Sequence, residues 1–448
     1  MFKMNITGMI PKNMEDRGLI ILKDNFEYIE EILNHRKVPK KGISDDKIKL
    51  FLKFLSLMDT DKDPKVIRIG EREGRYASKI QEELVSGFCH GVGRSGNLID
   101  PQPKAPGASV MYSLTNNLLT SFLNGLGLKV YSIAVPVATG MSLSLCLNAI
   151  RKKYQSNVVI YPYAAHKSPI KAVFFSGFKM RLVETKLYGD ALKVDVEDIE
   201  DALIHEIECK NNPCILSTLT FFPPREGDDI ERIAKICKEY NVPHIINGAY
   251  ALQNKYYINK LNKALKYRVD AIVSSSDKTL LTPIGGSIIY SKDREFLREV
   301  SLSYPGRACA TPIVNILISL LSLGMDKYLK LMEQQIECRN LLDVLLNNLA
   351  EKIGGKVLNI NNPISLSIAI NSDPVKIAGK LYSLRITGPR GVRSSDKFST
   401  CYLGEYPYNY IVINASIGVK RKDIVNAIEK LENVLLNNQV SRYNCNSI

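Results

Sequence analysis

Seven short apolar runs after Val130 do most to limit the folds open to this chain. They read VYSIAVP, NVVIYPY, KMRLVET, CILSTLT, HIINGAY, AIVSSS and GSIIYS, and helical stretches such as SLSLCLNAIRKKY and DDIERIAKICKEY stand between most of them. Runs that stay apolar instead of alternating belong to strands buried on both faces, and the intervening helices supply the cover. The expectation is an α/β fold with a mostly parallel sheet. In that architecture functional residues gather in loops at the carboxyl ends of the strands.

The texture changes on either side of these runs. Residues up to about Asp59 are helical in pattern, with EYIEEIL and KIKLFLKFLSLM placing apolar residues at helical spacing. After about Thr311 a long helical segment, with a break expected at Gly324, precedes ISLSIAI, YNYIVINA and a terminal helix. The 448 residues therefore divide into a helical N-terminal extension (1–60), a large catalytic body (61–310) and a smaller α+β unit (311–448). The extension either packs on the body or drives oligomerisation.

From Ala105 to Ile150 the sole charge is Lys129. Pro136, Gly140, Ser142, Ser144 and Asn148 would stand at depths that lipid penalises, so a buried strand, turn and helix are expected there and no membrane span. No secretory leader is evident. The nine cysteines include no CxxC pair, which points to a reducing, cytoplasmic setting with neither a disulfide framework nor a metal centre. The net charge of +14 suits a polyanionic partner such as RNA, its footprint assembled in three dimensions because no long basic block is present.

The chemistry begins at AIVSSSDKTLLTPIGG, where Lys278 follows a buried strand in an apolar, Gly-rich setting. Desolvation there would lower the ammonium's proton affinity, as a Schiff-base lysine requires. Taken alone, the motif fits a solvated loop lysine equally well. HIINGAY ends a strand with Asn247, placed to face a pyridine nitrogen. VPVATGMS brings Ala138 and Thr139 to a helix N-terminus, a natural seat for phosphate. YPYAAHKS sets His166 where an imidazole could stack on a flat ring. Together, over about Val130 to Ile448, these segments resemble fold-type-I pyridoxal-phosphate enzymes. That superfamily usually has Asp where Asn247 stands, which implies a weaker electron sink, better suited to eliminating a good leaving group than to transamination.

The segment GVGRSGNLIDPQPKAPG fits G-x-G-x-x-G, yet too many prolines come after it for the helix that a dinucleotide fingerprint needs. It reads better as an anion cradle, with Arg94, Ser95 and Gln102 as donors and with Arg72, Arg75 and Arg307 nearby in sequence or motif. A purely structural Gly/Pro loop is the alternative.

EREGR, GVGRSGNLIDPQPKAPG, VPVATGMSL, NGAY, SSSDK and SYPGRA together resemble the O-phosphoseryl-tRNA(Sec):selenocysteinyl-tRNA synthase family over nearly the whole chain. The resemblance implies pyridoxal 5'-phosphate on Lys278, contacted by Arg72. It implies a phosphate-binding loop from Gly93 through Arg94, Ser95 and Gly96 to Gln102 and Pro103. Arg94, Ser95, Gln102 and Arg307 would hold the phosphate of phosphoserine, and Arg390 would touch tRNA(Sec). Selenophosphate would be the selenium donor and the assembly a homotetramer, a dimer of dimers, with no membrane or DNA partner. Glu71 either repels a free α-carboxylate, which the tRNA ester lacks, or orients an arginine. Two rivals remain: a phosphoseryl-tRNA to cysteinyl-tRNA synthase, which needs essential cysteines, and a silent tRNA-binding homologue, which needs neither Lys278 nor the arginines.

Overall fold

Helix α1 (Lys12–His35) and helix α2 (Asp45–Ser56) form the amino-terminal region of a computed structural model that describes residues 7–445. The outermost residues of the expected extension and of the small unit, 1–6 and 446–448, lie outside the described residues. In α2, Ile48, Phe51, Leu52 and Leu55 repeat at i, i+3, i+4, i+7 and are buried, while Asp45 and Asp46 complement the dipole of the first turn. The buried face meets helix α3 (Pro106–Gly125), whose N-terminus is capped by Asp59 accepting the Ala108 N–H at 3.0 Å. Phe51 and Leu55 thereby join the large core. Helix α1 buries much less: Met14, Ile20 and Ile21 are exposed.

The central sheet comprises β1 (Tyr131–Val135), β2 (Val158–Pro162), β3 (Lys179–Val183), β4 (Pro213–Thr218), β5 (His244–Asn247), β6 (Ala271–Ser275) and β7 (Ser287–Ser291). Its order is β1-β7-β6-β5-β4-β2-β3. The pairs from β6 across to β3 are parallel, and β2, β4, β5 and β6 are buried at every residue, as their unbroken apolar runs require. Strand β7 runs the other way, antiparallel to both β6 and β1. Two reversals restore the direction of β1, so its carboxyl end shares an edge with those of β2, β4, β5 and β6. Helix α4 (Thr139–Tyr154) begins at that edge, as does the single turn α5 (Ser276–Thr279).

Helix α6 (Thr311–Ile353) links two cores. Its first part, including Ile313, Leu317 and Leu321, packs in the large one. Its second part, including Leu342, Leu346 and Leu349, packs against β9 (Ser365–Ala369), β11 (Tyr410–Asn414) and α7 (Arg421–Cys445). These strands belong to an antiparallel sheet of order β8-β9-β11-β10, completed by β8 (Lys356–Val357) and β10 (Arg390–Val392). Buried Gln335 ties the cores together, accepting from Asn254 at 2.8 Å and donating to the Ala415 carbonyl at 2.8 Å. By length and composition α6 is apolar enough to cross a membrane, but its apolar face is the one packed in these cores.

Gly324 interrupts α6 as expected, with φ 59°. A Cβ there would stand 2.9 Å from the Pro39 carbonyl oxygen, so the site is open only to glycine. The segment joining α1 to α2 takes up the freed backbone groups. Met325 donates to Pro39, Asp326 donates to Lys40, and the Leu321 carbonyl accepts from Ile43, all within 2.8–3.0 Å.

His244 is fully buried on β5, its Nε2 2.8 Å from the Ser217 hydroxyl on β4. Burial lowers its pKa from 6.5 to about 4. The unfolded chain therefore binds this proton first, and the stability linked to neutral His244 is complete above pH 6.5 and lost as pH falls towards 4. The difference amounts to about 3 kcal/mol. His244→Gln should flatten the fall of Tm over that interval, read from circular dichroism melts; an unchanged slope would show that His244 does not set it.

Candidate active site

Lys278 emerges from α5 directly after β6, and its backbone carbonyl accepts a hydrogen bond from Gln253 Nε2 at 2.7 Å. Buried Gln253 also accepts from the Ile417 N–H at 2.9 Å, so the lysine's turn is braced against the carboxyl-terminal part of the chain. The side chain enters a cavity of about 190 Å³. Ala138, Thr139, His166 and Asn247 line the same cavity, so the loops singled out in the sequence converge there. One expectation fails: Lys278 is exposed, so the single chain does not desolvate its amine. The cause is the short α5 turn, which carries the lysine to the mouth of the cavity, beside outward-facing Leu281 and Ile284.

Each wall has a physical character. Ala138 precedes α4, and Thr139 and Gly140 form its first turn, where N–H groups and the helix dipole favour an anion. Asn247 ends β5, and its Oδ1 is buried without a hydrogen-bond partner. His166 precedes the helix Lys167–Phe175 and meets Phe221 edge-on at 6.5 Å. Desolvation, then the charges of Lys278 and Arg390, lower its proton affinity, leaving a neutral ring on the cavity wall. Tyr250, Thr220 and Phe222 also line the cavity. The Tyr250 hydroxyl, like the Asn247 oxygen, is buried without a partner. Tyr250 lies within NGAY, but the sequence offers no signal that it lines the cavity.

A second constellation gathers in a cavity of about 310 Å³ lined by Glu71, Arg72, Glu73, His90, Lys104 and Arg307, with Gly70 and Ile69 at its edge. Arg72 donates to the Cys89 carbonyl, and Lys104 pairs with Glu73. Reciprocal backbone bonds between Val92 and Ala308, of 3.0 and 3.2 Å, bind the Gly-rich loop to the segment that carries Arg307. The loop is itself ordered by exchange of backbone bonds between Arg94 and Asn97, while the Arg94 and Ser95 side chains and Gly96 are exposed. Gln102 is half-buried, its Nε2 3.5 Å from the Gly93 carbonyl, with exposed Pro103 next to it. Gly93 faces a different cavity, and Arg94, Ser95, Gln102 and Pro103 line neither the Lys278 cavity nor the arginine cavity.

Arg390 stands on β10, half-buried, with its guanidinium 5.9 Å from the Phe222 ring. It is thus within electrostatic reach of the Lys278 cavity. Among the described residues no group of His, Cys, Asp and Glu could hold a metal ion.

The fold has counterparts in known proteins. The family model for O-phosphoseryl-tRNA(Sec) selenium transferase, SepSecS, matches residues 58–436. The O-phosphoseryl-tRNA(Sec) selenium transferase of Methanocaldococcus jannaschii is 68% identical over 432 residues, covering 96% of this chain and all of that protein. A crystal structure of an archaeal O-phosphoseryl-tRNA(Sec) selenium transferase superposes with a TM-score of 0.96 at 65% identity, covering 97% of this chain and 100% of that one. Oryza sativa TDC with PLP shares the fold, with a TM-score of 0.61 at 12% identity over 97% of this chain and 99% of its own.

Proposed function

The chain belongs to the O-phosphoseryl-tRNA(Sec) selenium transferase family, and on that premise we propose how its two cavities divide the reaction. The protein is a transferase that converts O-phosphoseryl-tRNA(Sec) to selenocysteinyl-tRNA(Sec). In our reading the Lys278 cavity holds pyridoxal phosphate. The observation that carries this is the fit of the walls to the group: the amine of Lys278, an unpartnered amide oxygen at Asn247, the N-terminus of α4 and the neutral ring of His166. Lys278 would hold the aldehyde carbon, the α4 N-terminus the phosphate and Asn247 the ring nitrogen, while His166 would flank the ring and Tyr250 offer its hydroxyl. Bound pyridoxal phosphate supplies an electron sink at the substrate's Cα.

The protein's own groups do the rest. The Lys278 amine removes the Cα proton as general base. Arg94, Ser95, Gln102 and Arg307 bind the phosphoseryl phosphate, so the Cβ–O bond breaks with its electron pair leaving on a charge-compensated phosphate. Arg72 contacts the cofactor. Selenium from selenophosphate then bonds to Cβ of the dehydroalanyl group, water takes the phosphoryl group as the P–Se bond breaks to release phosphate, and Cα regains a proton from the Lys278 ammonium. Glu71, beside Arg72 and Arg307, turns away free phosphoserine by opposing its α-carboxylate. Arg390, at the edge of the Lys278 cavity, meets the tRNA's aminoacyl end, and the excess positive charge of +14 attracts the rest of the tRNA in the cytoplasm.

Arg72 and Arg307 line a different cavity from Lys278 within one chain, and we infer that a second copy brings the two together. Both cavities carry an isoleucine that is almost wholly exposed: Ile284 (84%) at the Lys278 cavity and Ile69 (88%) at the arginine cavity. A second interface, using the bare apolar residues of α1, would pair two such dimers into a homotetramer.

Lys278→Ala should abolish both turnover and the visible absorbance of the loaded enzyme while leaving the far-ultraviolet circular dichroism intact. Borohydride-labelled peptide from the wild type should contain Lys278, and label on another lysine would sink the assignment. Arg307→Ala should slow the phosphoseryl-tRNA reaction about a hundredfold or more, corresponding to the loss of roughly 2–5 kcal/mol typical of truncating one partner in a buried charge pair. Equal turnover of seryl-tRNA and phosphoseryl-tRNA by the wild type would refute the phosphate pocket. Deleting α1 should reduce the assembly from tetramer to dimer by sedimentation, and an unchanged sedimentation coefficient would refute that role.

A further inference from the structure

Beneath the arginine cavity lies a buried pair that the proposed reaction does not use. His90 lines the cavity yet is 4% exposed, and its Nε2 stands 3.5 Å from Oδ1 of Asp61, whose side chain is fully buried. In this geometry neither atom has a hydrogen-bond partner. Gly74 crosses the pair with φ +73°, and a Cβ there would lie 2.5 Å from the Asp61 Cβ and 3.1 Å from His90 Nε2. The backbone closes over the two side chains as glycine alone allows. Nε2 faces Asp61, so the carboxylate stands behind the ring and leaves the other ring nitrogen for a ligand in the cavity that His90 shares with Arg72 and Arg307.

Charge faces His90 from each element packed around it. Asp61 lies behind it, itself paired with Lys62; Glu73 is held by Lys104; Arg72 and Arg307 share the cavity. Burial lowers the imidazole's proton affinity most, Asp61 and Glu73 raise it, and Arg72 and Arg307 lower it again. A doubly charged anion arriving between the arginines would cancel their contribution and add its own attraction for a proton.

Resting on the reading of Arg307, which lines this cavity, as a ligand of the substrate's phosphate, we propose that His90 is a further phosphate-binding residue, which takes up a proton from solvent as the anion enters and donates it as a charge-assisted hydrogen bond. The bond comes from the ring nitrogen turned away from Asp61, and Asp61 orients the ring and stabilises the imidazolium. The proton stays on the imidazole; no covalent bond is made or broken. The pocket would then recognise a dianion by charge that appears only when the dianion is present, so an unphosphorylated seryl group would meet a neutral His90.

Sulfate tests this cleanly, because it remains doubly charged across the range in which histidine titrates. Holoenzyme would be titrated with sulfate by calorimetry in two buffers of different ionisation enthalpy near neutral pH. The wild type should take up a large fraction of one proton per sulfate bound, and its affinity should fall as pH rises. His90→Gln should bind sulfate about tenfold more weakly, the equivalent of one pKa unit, with no proton uptake. Uptake that persists in His90→Gln and vanishes in Asp59→Asn, the other buried acid nearby with a pKa raised to about 6, would overturn the proposal. Binding that depends on Arg307 but takes up no proton in the wild type would overturn the role of His90 alone, whether or not His90→Gln folds. Binding indifferent to Arg307→Ala would overturn the phosphate pocket and this proposal with it.

Discussion

A strand buried on both faces can offer a ligand little except the residues just beyond its end, and this constraint shapes the whole catalytic edge. Strands β2, β5 and β6 spend their side chains on the core, so His166, Asn247 and Lys278 appear within a few residues of their carboxyl ends. The reversal of β7 matters as much as any of these side chains. Were β7 parallel to β6 and β1 still antiparallel to β7, the first turn of α4 would open at the opposite edge, and its N–H groups would be lost to the cavity. The anion seat of the site thus depends on the direction of a strand that contributes no residue to the cavity's lining.

The sequence makes much of this legible, and for a definite reason. Unbroken apolar runs announce burial on two faces, and the convergence of Ala138, Thr139, His166, Asn247 and Lys278 follows once those runs become neighbouring strands. Gly324 could be identified as a break because an apolar helical repeat carries a residue with no helical preference at that point. The direction of β7 is not legible, since GSIIYS is equally apolar read in either sense. Nor is the exposure of Lys278, because its apolar neighbours Leu281 and Ile284 look like core in a string of letters and point outwards in space.

Other features depend on tertiary contacts that no local pattern records. The Gly-rich loop and the segment carrying Arg307 are far apart in sequence, and the Val92–Ala308 bridge joins them. The separation of the arginines from Lys278 within one chain arises in the same way: both groups are recognisable by type, but neither motif states which cavity its side chains enter. His90 and Tyr250 escaped notice because a histidine after a cysteine and a tyrosine in a turn are unremarkable until burial leaves their polar atoms alone.

The seam at Gly324 has a consequence for how the protein is made. Residues 39–43 leave the ribosome early, but the Leu321 carbonyl and the Met325 and Asp326 N–H groups that receive them are synthesised much later. At ordinary translation speeds the wait is on the order of tens of seconds. Throughout that interval the apolar stripe of α2 can reach α3, whereas the segment that closes the break has no partner. The segment 39–43 is therefore made long before the groups that fasten it, a risk that falls on the nascent chain and the chaperones that meet it.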